Sequence, residues 1–250
     1  MLTTRKRDLI KILFRSFYIQ GSWSFERMMG LGLCFCLIPV ARRLYQTDKE
    51  IADFLKRHLD FFNAQPYMAS FALGAITKLE EQAIRQKWKN KHPISIFKER
   101  ISGPLGALGD AFFWRFLRPF AASIGIIISI LIGWTGIIFF LIFYNIPHLY
   151  IRIIGIWEGY NKGFDIISDL SIRGTKKYFK FFNAILSSII GVLIVTISFW
   201  IFDQKFGLRG LLVFSIITLI SFGLTYKKKL SIEMIFIIVL SISIILGLMI

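Results

Sequence analysis

The chain has 250 residues, of which 55% are hydrophobic, and a formal net charge of +16. This hydrophobic content is too high for an ordinary soluble domain and falls in long runs, so the sequence predicts a polytopic membrane protein in contact with lipid. The basic clusters lie beside the ends of apolar runs, as cytoplasmic span ends do, and this placement argues against nucleic-acid binding.

Basic and apolar residues are interleaved between positions 5 and 17. This pattern favours a basic amphipathic helix on the cytoplasmic membrane surface, which places the N-terminus in the cytoplasm. Its predicted apolar face consists of Leu9, Ile10, Leu13 and Phe17.

Three further apolar pieces, residues 23–40, 66–77 and 101–120, are short or interrupted by glycine, proline or charge. Such segments indicate discontinuous or re-entrant helices near a binding site. Amphipathic helices lying on the membrane are the alternative. Cys34 and Cys36 are interpreted as packing residues, because a metal site needs more converging ligands than the two thiols provide.

Between these pieces, Thr47 and Glu50 form the capping-box pattern that begins a helix. One apolar face of that helix contains Leu55, Leu59 and Phe62. Asn63 and Pro66 are predicted to end it.

Residues 103–114 combine apolar character with Pro104, three glycines and Asp110. Open backbone at membrane depth is tolerated only where protein or a wet cavity surrounds it. An ionisable group at that depth is a functional candidate. The stretch therefore predicts a bend beside a solute path.

The C-terminal half contains cleaner spans. Residues 119–151 hold no charged residue and are too long for one straight span of about 20 residues. Glycines at 133 and 136 indicate two short helices joined by a tight bend, with one long tilted helix as the alternative. Further spans are predicted at residues 181–202, 210–226 and 234–250.

Basic residues at 173–180 and 227–229 are predicted to share the cytoplasmic side, with residues 203–209 outside. The predicted fold is an all-α integral membrane protein. Two domains are predicted. Residues 1–165 form a domain of short re-entrant or broken helices along the solute path, and residues 166–250 form the C-terminal transmembrane helices.

The first candidate site lies at residues 20–27, around the start of the apolar piece 23–40. At helical spacing, Gln20, Trp23 and Glu26 fall within two turns, and an amide, an indole and a carboxylate together suit a sugar. Arg27 follows Glu26, and an Arg facing lipid at mid-depth costs about 2.5–3.5 kcal/mol. These residues therefore need partners or water. The alternative is an interhelical hydrogen-bond cluster, which the spacing alone favours over a sugar site.

His58, Asn63 and Asp110 are the other candidates along the predicted path. His58 suits a phosphoryl acceptor or proton relay, but a histidine near a helix end is more often structural. Gly155 and Gly159, spaced by four, indicate a helix-packing face. The sequence shows no metal cluster, nucleophilic triad or nucleotide motif, so neither catalysis nor a cofactor or metal is predicted.

The motifs follow an order that resembles the IID component of the mannose/fructose/sorbose family of bacterial phosphotransferase system (PTS) permeases. The resemblance rests on Ser16-Phe17-x-x-Gln20-x-Ser22-Trp23-x-Phe25-Glu26-Arg27-Met28, Arg57-His58-x-x-Phe61-Phe62-Asn63-x-x-Pro66-Tyr67-Met68, Gly103-Pro104-Leu105, Gly109-Asp110, Phe113-Trp114, Arg118-Pro119 and Asn145-x-Pro147.

The resemblance implies an inner-membrane subunit that forms the sugar path with a IIC subunit. Cytoplasmic IIA and IIB components pass phosphate to the sugar, a hexose or amino sugar, as it enters. It also implies higher-order assembly of IIC–IID pairs, and no phosphorylation of this subunit. Ser24, Ala111 and Arg115 depart from the family pattern. Alternatives are a half-transporter or channel subunit, or a membrane scaffold, without a phosphotransfer link.

Overall fold

The computed structural model describes residues 3–169 and 176–205, and helices dominate it. The α-helices are α1 (Lys6–Ser16), α2 (Gly30–Leu44), α3 (Asp48–Leu59), α4 (Ala69–Arg85), α5 (His92–Gly109), α6 (Arg118–Ile132), α7 (Thr135–Lys162), α8 (Ile166–Asp169) and α9 (Lys176–Lys205). A π-helix, Asp110–Leu117, joins α5 to α6, and a 3-10 turn, Gly163–Asp165, joins α7 to α8. No β-strand occurs in the part of the chain that the structure describes, and the predicted all-α fold is confirmed.

Two helical segments are long and apolar enough to cross a membrane, His92–Ile132 with 41 residues and Thr135–Asp169 with 35. They are separated only by Gly133 and Trp134. Gly133 adopts a φ of 79°, a conformation that residues with a side chain rarely take. The tight bend predicted here is confirmed, and the single tilted helix is wrong. The helices on either side of the bend are longer than predicted, because each continues beyond the uncharged residues 119–151.

The helical structure does not break within residues 103–114, and the bend predicted there stays a prediction. Helix α5 continues through Pro104, and the hydrogen bonding changes to a π-helical pattern from Asp110 until α6 begins. Proline costs a helix one backbone hydrogen bond, which neighbouring helices in a membrane protein help to compensate. A side chain at Gly103 would meet nothing within 4 Å, so no close contact requires that glycine. The unusual backbone is a π-helix, a form that is frequent at functional sites.

The short helices α1 to α4 bury their apolar faces against one another and against α5 and α7. Fully buried side chains in this shared core include Ile12, Leu37, Phe54, Ile76, Phe97 and Ile156. Short helices are confirmed between residues 6 and 85. The apolar piece at 101–120 belongs instead to the 41-residue segment His92–Ile132, so the prediction that residues 1–165 hold only short or broken helices is wrong. The depth of the short helices in a membrane stays a prediction.

Two predicted helix details need correction. The buried face of α1 is formed by Leu9, Ile12 and Ser16, whereas Ile10 and Phe17 are exposed, because α1 packs against other helices of the chain. The capping box of α3 is confirmed, since the Thr47 hydroxyl accepts from the Glu50 N–H at 3.3 Å. However, α3 already ends at Leu59, before Phe62, whose backbone pairs with a different segment.

Helices α4 and α7 approach closely through glycines. A Cβ atom on Gly74 would lie 2.1 Å from the carbonyl oxygen of Ile156, and one on Gly159 would lie 2.2 Å from that of Phe71. Such distances are available only without side chains. The interpretation of Gly155 and Gly159 as a packing face is confirmed.

Helix α9 contains the span predicted at residues 181–202. Its Phe182 ring stacks on Phe116 of the π-helix at a centroid distance of 4.5 Å. The spans predicted at 210–226 and 234–250, and the basic residues at 227–229, lie outside the described residues. The domain boundary at 165/166 falls at the end of the 3-10 turn and stays a prediction.

Candidate functional site

Residues 60–68, which link α3 to α4 and are called the connector here, bring the motif segments together. The N–H of Met29 donates to the Phe62 carbonyl at 2.9 Å, and the Phe62 N–H donates to the Arg27 carbonyl at 3.3 Å. Ser24 and Met28 also exchange two backbone hydrogen bonds. The loop between α1 and α2 is therefore held against the connector.

Gln65 fixes the second half of the connector. Its side-chain Oε1 accepts hydrogen bonds from the N–H groups of Tyr67 at 2.8 Å and Met68 at 3.0 Å. The side chain lies against Gly109, where an added Cβ would come within 2.3 Å of the Gln65 Cβ. Because Gly109 has no side chain, the connector can pack against the helix at this residue, which directly precedes Asp110 in the sequence. The buried Nε2 of Gln65 has no partner among the described residues.

Tyr67 joins the connector to the long helices. Its ring stacks on His148 at a centroid distance of 4.5 Å and meets the edge of Phe113 at 4.8 Å. Its hydroxyl lies 3.1 Å from that of Tyr144. The motifs around Phe113 and Asn145 are therefore in contact with the connector through one aromatic side chain.

Arg152 of α7 ties this aromatic group to the end of α1. Its guanidinium donates to the carbonyl of Ser16 and, at 3.0 Å, to the Ser16 hydroxyl. It also lies over the rings of Phe17, at 4.7 Å, and Tyr67, at 5.4 Å. Sequence reasoning missed this residue. A lone arginine after a long uncharged run was the available signal, because such residues inside spans seek partners.

The predicted site residues separate into two groups. Six are exposed and linked through the connector, and they are called the motif surface here: Gln20, Trp23, Glu26, Arg27, Asn63 and Asp110. Trp23 is 55% exposed, and its neighbour Phe25 is 85% exposed. His58 is instead fully buried.

The helical spacing assumed for Gln20, Trp23 and Glu26 is wrong. Helix α1 ends at Ser16, and residues 17–29 form turns. One cause is Gly32 of α2, where an added Cβ would lie 1.8 Å from the carbonyl oxygen of Ile19. The glycine lets this loop pack directly against the helix.

His58 belongs to a buried group around Glu80, called the ion cluster here. The Glu80 carboxylate accepts hydrogen bonds from His58 Nε2 at 2.8 Å, from the Tyr45 hydroxyl at 2.6 Å, and from Arg57 Nε at 2.9 Å and Nη2 at 3.1 Å. The Lys91 ammonium donates to the Tyr45 hydroxyl at 2.7 Å. Tyr45 and helix α3 thus meet α4 at one carboxylate, and Lys91 joins the cluster through Tyr45.

The ion cluster lies outside the two long spans. The protonation states of Glu80 and His58 depend on their burial and on their hydrogen-bond partners. Burial opposes ionisation of Glu80, but the hydrogen bond of His58 and the positive charge of Arg57 outweigh it and lower the pKa of Glu80 to about 2. Burial lowers the pKa of His58, which favours a neutral ring that donates through Nε2. A buried neutral histidine in this position is structural.

Sequence reasoning missed Glu80. The available signal was the buried stripe of α4, since Leu73, Ile76 and Glu80 fall on one helical face. Among the described residues, no group of three His, Cys, Asp or Glu side chains could hold a metal ion.

Comparison with known proteins identifies the family. The family model of the PTS system mannose/fructose/sorbose family IID component matches residues 3–250. The chain belongs to this family. The family consists of bacterial membrane permease subunits, in agreement with the apolar helices of this IID component.

Curated relatives and a solved structure agree with this assignment. The mannose-specific EIID component of Escherichia coli (strain K12) is 39% identical over 173 residues, which is 67% of this chain and 61% of that protein. The fructose permease IID component of Bacillus subtilis (strain 168) is 30% identical over 166 residues, covering 66% and 60%. This chain therefore spans less than two thirds of the relatives' length. A chain in the structure of the mannose transporter ManYZ with microcin E492 matches with a TM-score of 0.64 and 30% identity, covering 98% of this chain and 96% of that one.

One departure of this IID component from the family pattern has a local structural role. The Ser24 hydroxyl accepts a hydrogen bond from the Arg27 N–H at 3.2 Å, which stabilises the loop that presents Glu26 and Arg27. Ala111 and Arg115 lie on the π-helix, and Arg115 is exposed. Nothing in the structure explains these two departures.

Proposed function

We propose that this IID component works as a membrane subunit of a PTS permease which, together with a IIC subunit, moves a hexose or amino sugar of the mannose family into the cell. Movement would be coupled to phosphorylation of the sugar by the cytoplasmic IIB component, which receives phosphate from IIA. The relatives are named for mannose, fructose and sorbose, which supports this substrate class.

The observation that supports this proposal is the exposure of the motif surface. Trp23 and Phe25 leave large aromatic areas uncovered, and Glu26, Arg27 and Asp110 are exposed beside the connector. In a membrane protein, exposed charge needs water or a protein partner. Exposed aromatic anchors are typical of interfaces. We therefore assign the motif surface to contact with IIC and the sugar path.

We leave His58 out of this path, because its ring is fully buried and bonded to Glu80. We further propose that the subunit accepts no phosphate. His58 is inaccessible, and the ring of His148 is stacked on Tyr67. His92 is exposed, so for this residue the proposal rests on the family alone. The basic helix α1 supports an inner-membrane location with a cytoplasmic N-terminus. Further assembly of IIC–IID pairs is part of the same proposal.

Uptake of labelled sugars tests this function. Cells without a mannose-family permease would receive IIA, IIB and IIC, with or without this chain. The expected result is uptake, as sugar phosphate, only when the chain is present. Uptake of unmodified sugar would instead favour a half-transporter or channel subunit. Membrane recruitment of IIB without any uptake would favour a scaffold.

A further inference from the structure

A basic cleft lies between α1 and α2. It has a volume of about 240 Å³ and is lined by Asp8, Lys11, Arg15, Arg42 and Arg43, together with Ile38 and Pro39. Cations from two different helices therefore face one concave space.

Only part of this positive charge is neutralised within the chain. The Asp8 carboxylate is paired with Arg43 at 3.1 Å and also accepts the backbone N–H of Arg5 at 3.0 Å. Lys11 and Arg42 are exposed, and neither makes an ion pair or side-chain hydrogen bond with the described residues. The cleft thus retains cations that are free to bind an anion.

An apolar groove adjoins the basic cleft. It has a volume of about 580 Å³, and its lining includes Leu31, Phe35, Ile38 and Leu55. Ile38 lines both spaces. At their boundary the Arg15 guanidinium lies 4.5 Å from the Phe35 ring centre and donates to the Phe35 carbonyl at 2.9 Å. The basic cleft and the apolar groove therefore form one continuous surface.

We propose that this composite site binds an anionic phospholipid. Its phosphate would lie between Lys11 and Arg42, and an acyl chain would occupy the groove that begins at Ile38. Basic pockets beside membrane helices suit anionic headgroups. The adjoining groove favours an amphiphile over a free phosphate or an acidic protein surface, because neither of those would fill apolar space. The volume of the groove is within the range of ordinary ligand sites, about 300–1,000 Å³.

Native mass spectrometry of the full chain, purified in mild detergent with any subunits that co-purify, tests the site. Phosphatidylglycerol and phosphatidylcholine with identical acyl chains would be titrated separately. We expect the anionic lipid to be retained at least about tenfold more tightly. Lys11→Gln combined with Arg42→Gln should remove most of that preference. Lys49→Gln combined with Lys56→Gln is the matched control, because it removes two exposed cations from α3.

Inorganic phosphate and the soluble IIB component serve as competitors. Neither is expected to displace the lipid, and thermal melting verifies that the double variants remain folded. Equal retention of both lipids would overturn the proposal, as would an unchanged preference in the Lys11/Arg42 variant. Displacement by inorganic phosphate would identify an anion site only. If the Lys11/Arg42 variant lost binding of IIB while keeping the lipid, the cleft would be a protein docking surface instead.

Discussion

The ion cluster and the motif surface both contain carboxylates, but these groups are buried and hydrogen-bonded in the ion cluster and exposed on the motif surface. Glu80 accepts four hydrogen bonds from three residues and is fully buried. Glu26 and Asp110 are exposed, and no ion pair or side-chain hydrogen bond is found for either among the described residues. A charge that is satisfied within the chain fixes the fold, whereas a charge left on the surface of a membrane subunit is available to a partner or a solute.

The two regions are physically linked. Helix α3 supplies Arg57 and His58 to the ion cluster and ends at Leu59, just before the connector begins. Helix α4 supplies Glu80 and starts at Ala69, just after it. Because the cluster joins α3 to α4, it holds together the two helices between which the connector runs. The ion cluster therefore supports the motif surface.

The largest expected effect is on the ion cluster. Glu80→Ala leaves Arg57 without its carboxylate partner in a mostly buried position, and removing one member of a buried pair costs about 3–5 kcal/mol of unfolding free energy. Thermal melting in detergent should show a large drop or a chain that is lost from the membrane. Glu99→Ala, which removes an exposed carboxylate from α5, is the control. Equal melting of the two variants would show that the cluster does not stabilise the fold.

Substitutions on the motif surface should lower sugar uptake without lowering the stability of the fold. Glu26→Gln and Asp110→Asn keep side-chain shape but remove charge, and a hydrogen bond to a charged group contributes about 1.5–3 kcal/mol. Uptake should therefore fall by about ten- to a hundredfold, while the melting temperature and membrane content stay unchanged. Labelled-sugar uptake normalised to protein amount is the measurement.

Glu99→Gln provides the matched control for these two variants, because it neutralises an exposed carboxylate outside the motif surface. Its uptake should equal that of the unaltered chain. If Glu26→Gln and Asp110→Asn both transport normally, the assignment of the motif surface to the sugar path is wrong.

Local features of the sequence predicted much of this fold. The capping box at Thr47, the bend at Gly133 and the packing glycines of α7 depend on nearby residues or on a repeat along one helix face. The motif order also identified the family. These features are readable because hydrogen bonds and periodicity within a helix do not depend on the remainder of the chain.

Contacts between distant segments could not be predicted in this way. The turn after Ser16 depends on the approach of Ile19 to Gly32, and the ion cluster joins α3 and α4 to residues at 45 and 91. Helical spacing therefore placed Gln20, Trp23 and Glu26 on a helix that does not exist. The loop that contains these three residues is held in place by backbone hydrogen bonds to the connector.

Gln65 tests the link between the two regions. Gln65→Met keeps the side-chain length but removes the acceptor for the N–H groups of Tyr67 and Met68. Leaving such donors without a partner costs about 1–3 kcal/mol, so thermal melting should show a moderate loss and uptake should fall with it. Gln46→Met, at an exposed position, is the control. Unchanged melting together with normal uptake would show that Gln65 does not hold the connector.

The smallest expected effect is a pH dependence that is confined to the ion cluster. Burial lowers the pKa of His58 below its usual value of 6.5, so the unfolded chain takes up a proton below that pH and the folded chain does not. Stability is therefore complete above pH 6.5 and falls as the pH is lowered. Glu80, with its pKa lowered from 4.5 to about 2, adds a second loss as the pH falls from 4.5 towards 2. Each group contributes a slope of at most about 1.4 kcal/mol per pH unit.

His58→Gln separates these two windows, because a neutral amide can still donate to Glu80 but cannot take up a proton. Thermal melting across the range should show a shallower loss than in the unaltered chain between pH 6.5 and 4.5. Below 4.5 a loss should remain but be smaller, because Arg57 still lowers the pKa of Glu80 while the charge of His58 no longer does. His92→Gln removes an exposed imidazole and is the matched control. Parallel profiles for His58→Gln and the unaltered chain above pH 4.5 would mean that the pKa of His58 is the same in the folded and unfolded chains, and the argument from burial would be wrong. A charged pair between His58 and Glu80 would raise the pKa of His58 instead. The unaltered chain would then lose stability, relative to His58→Gln, as the pH rises above 6.5.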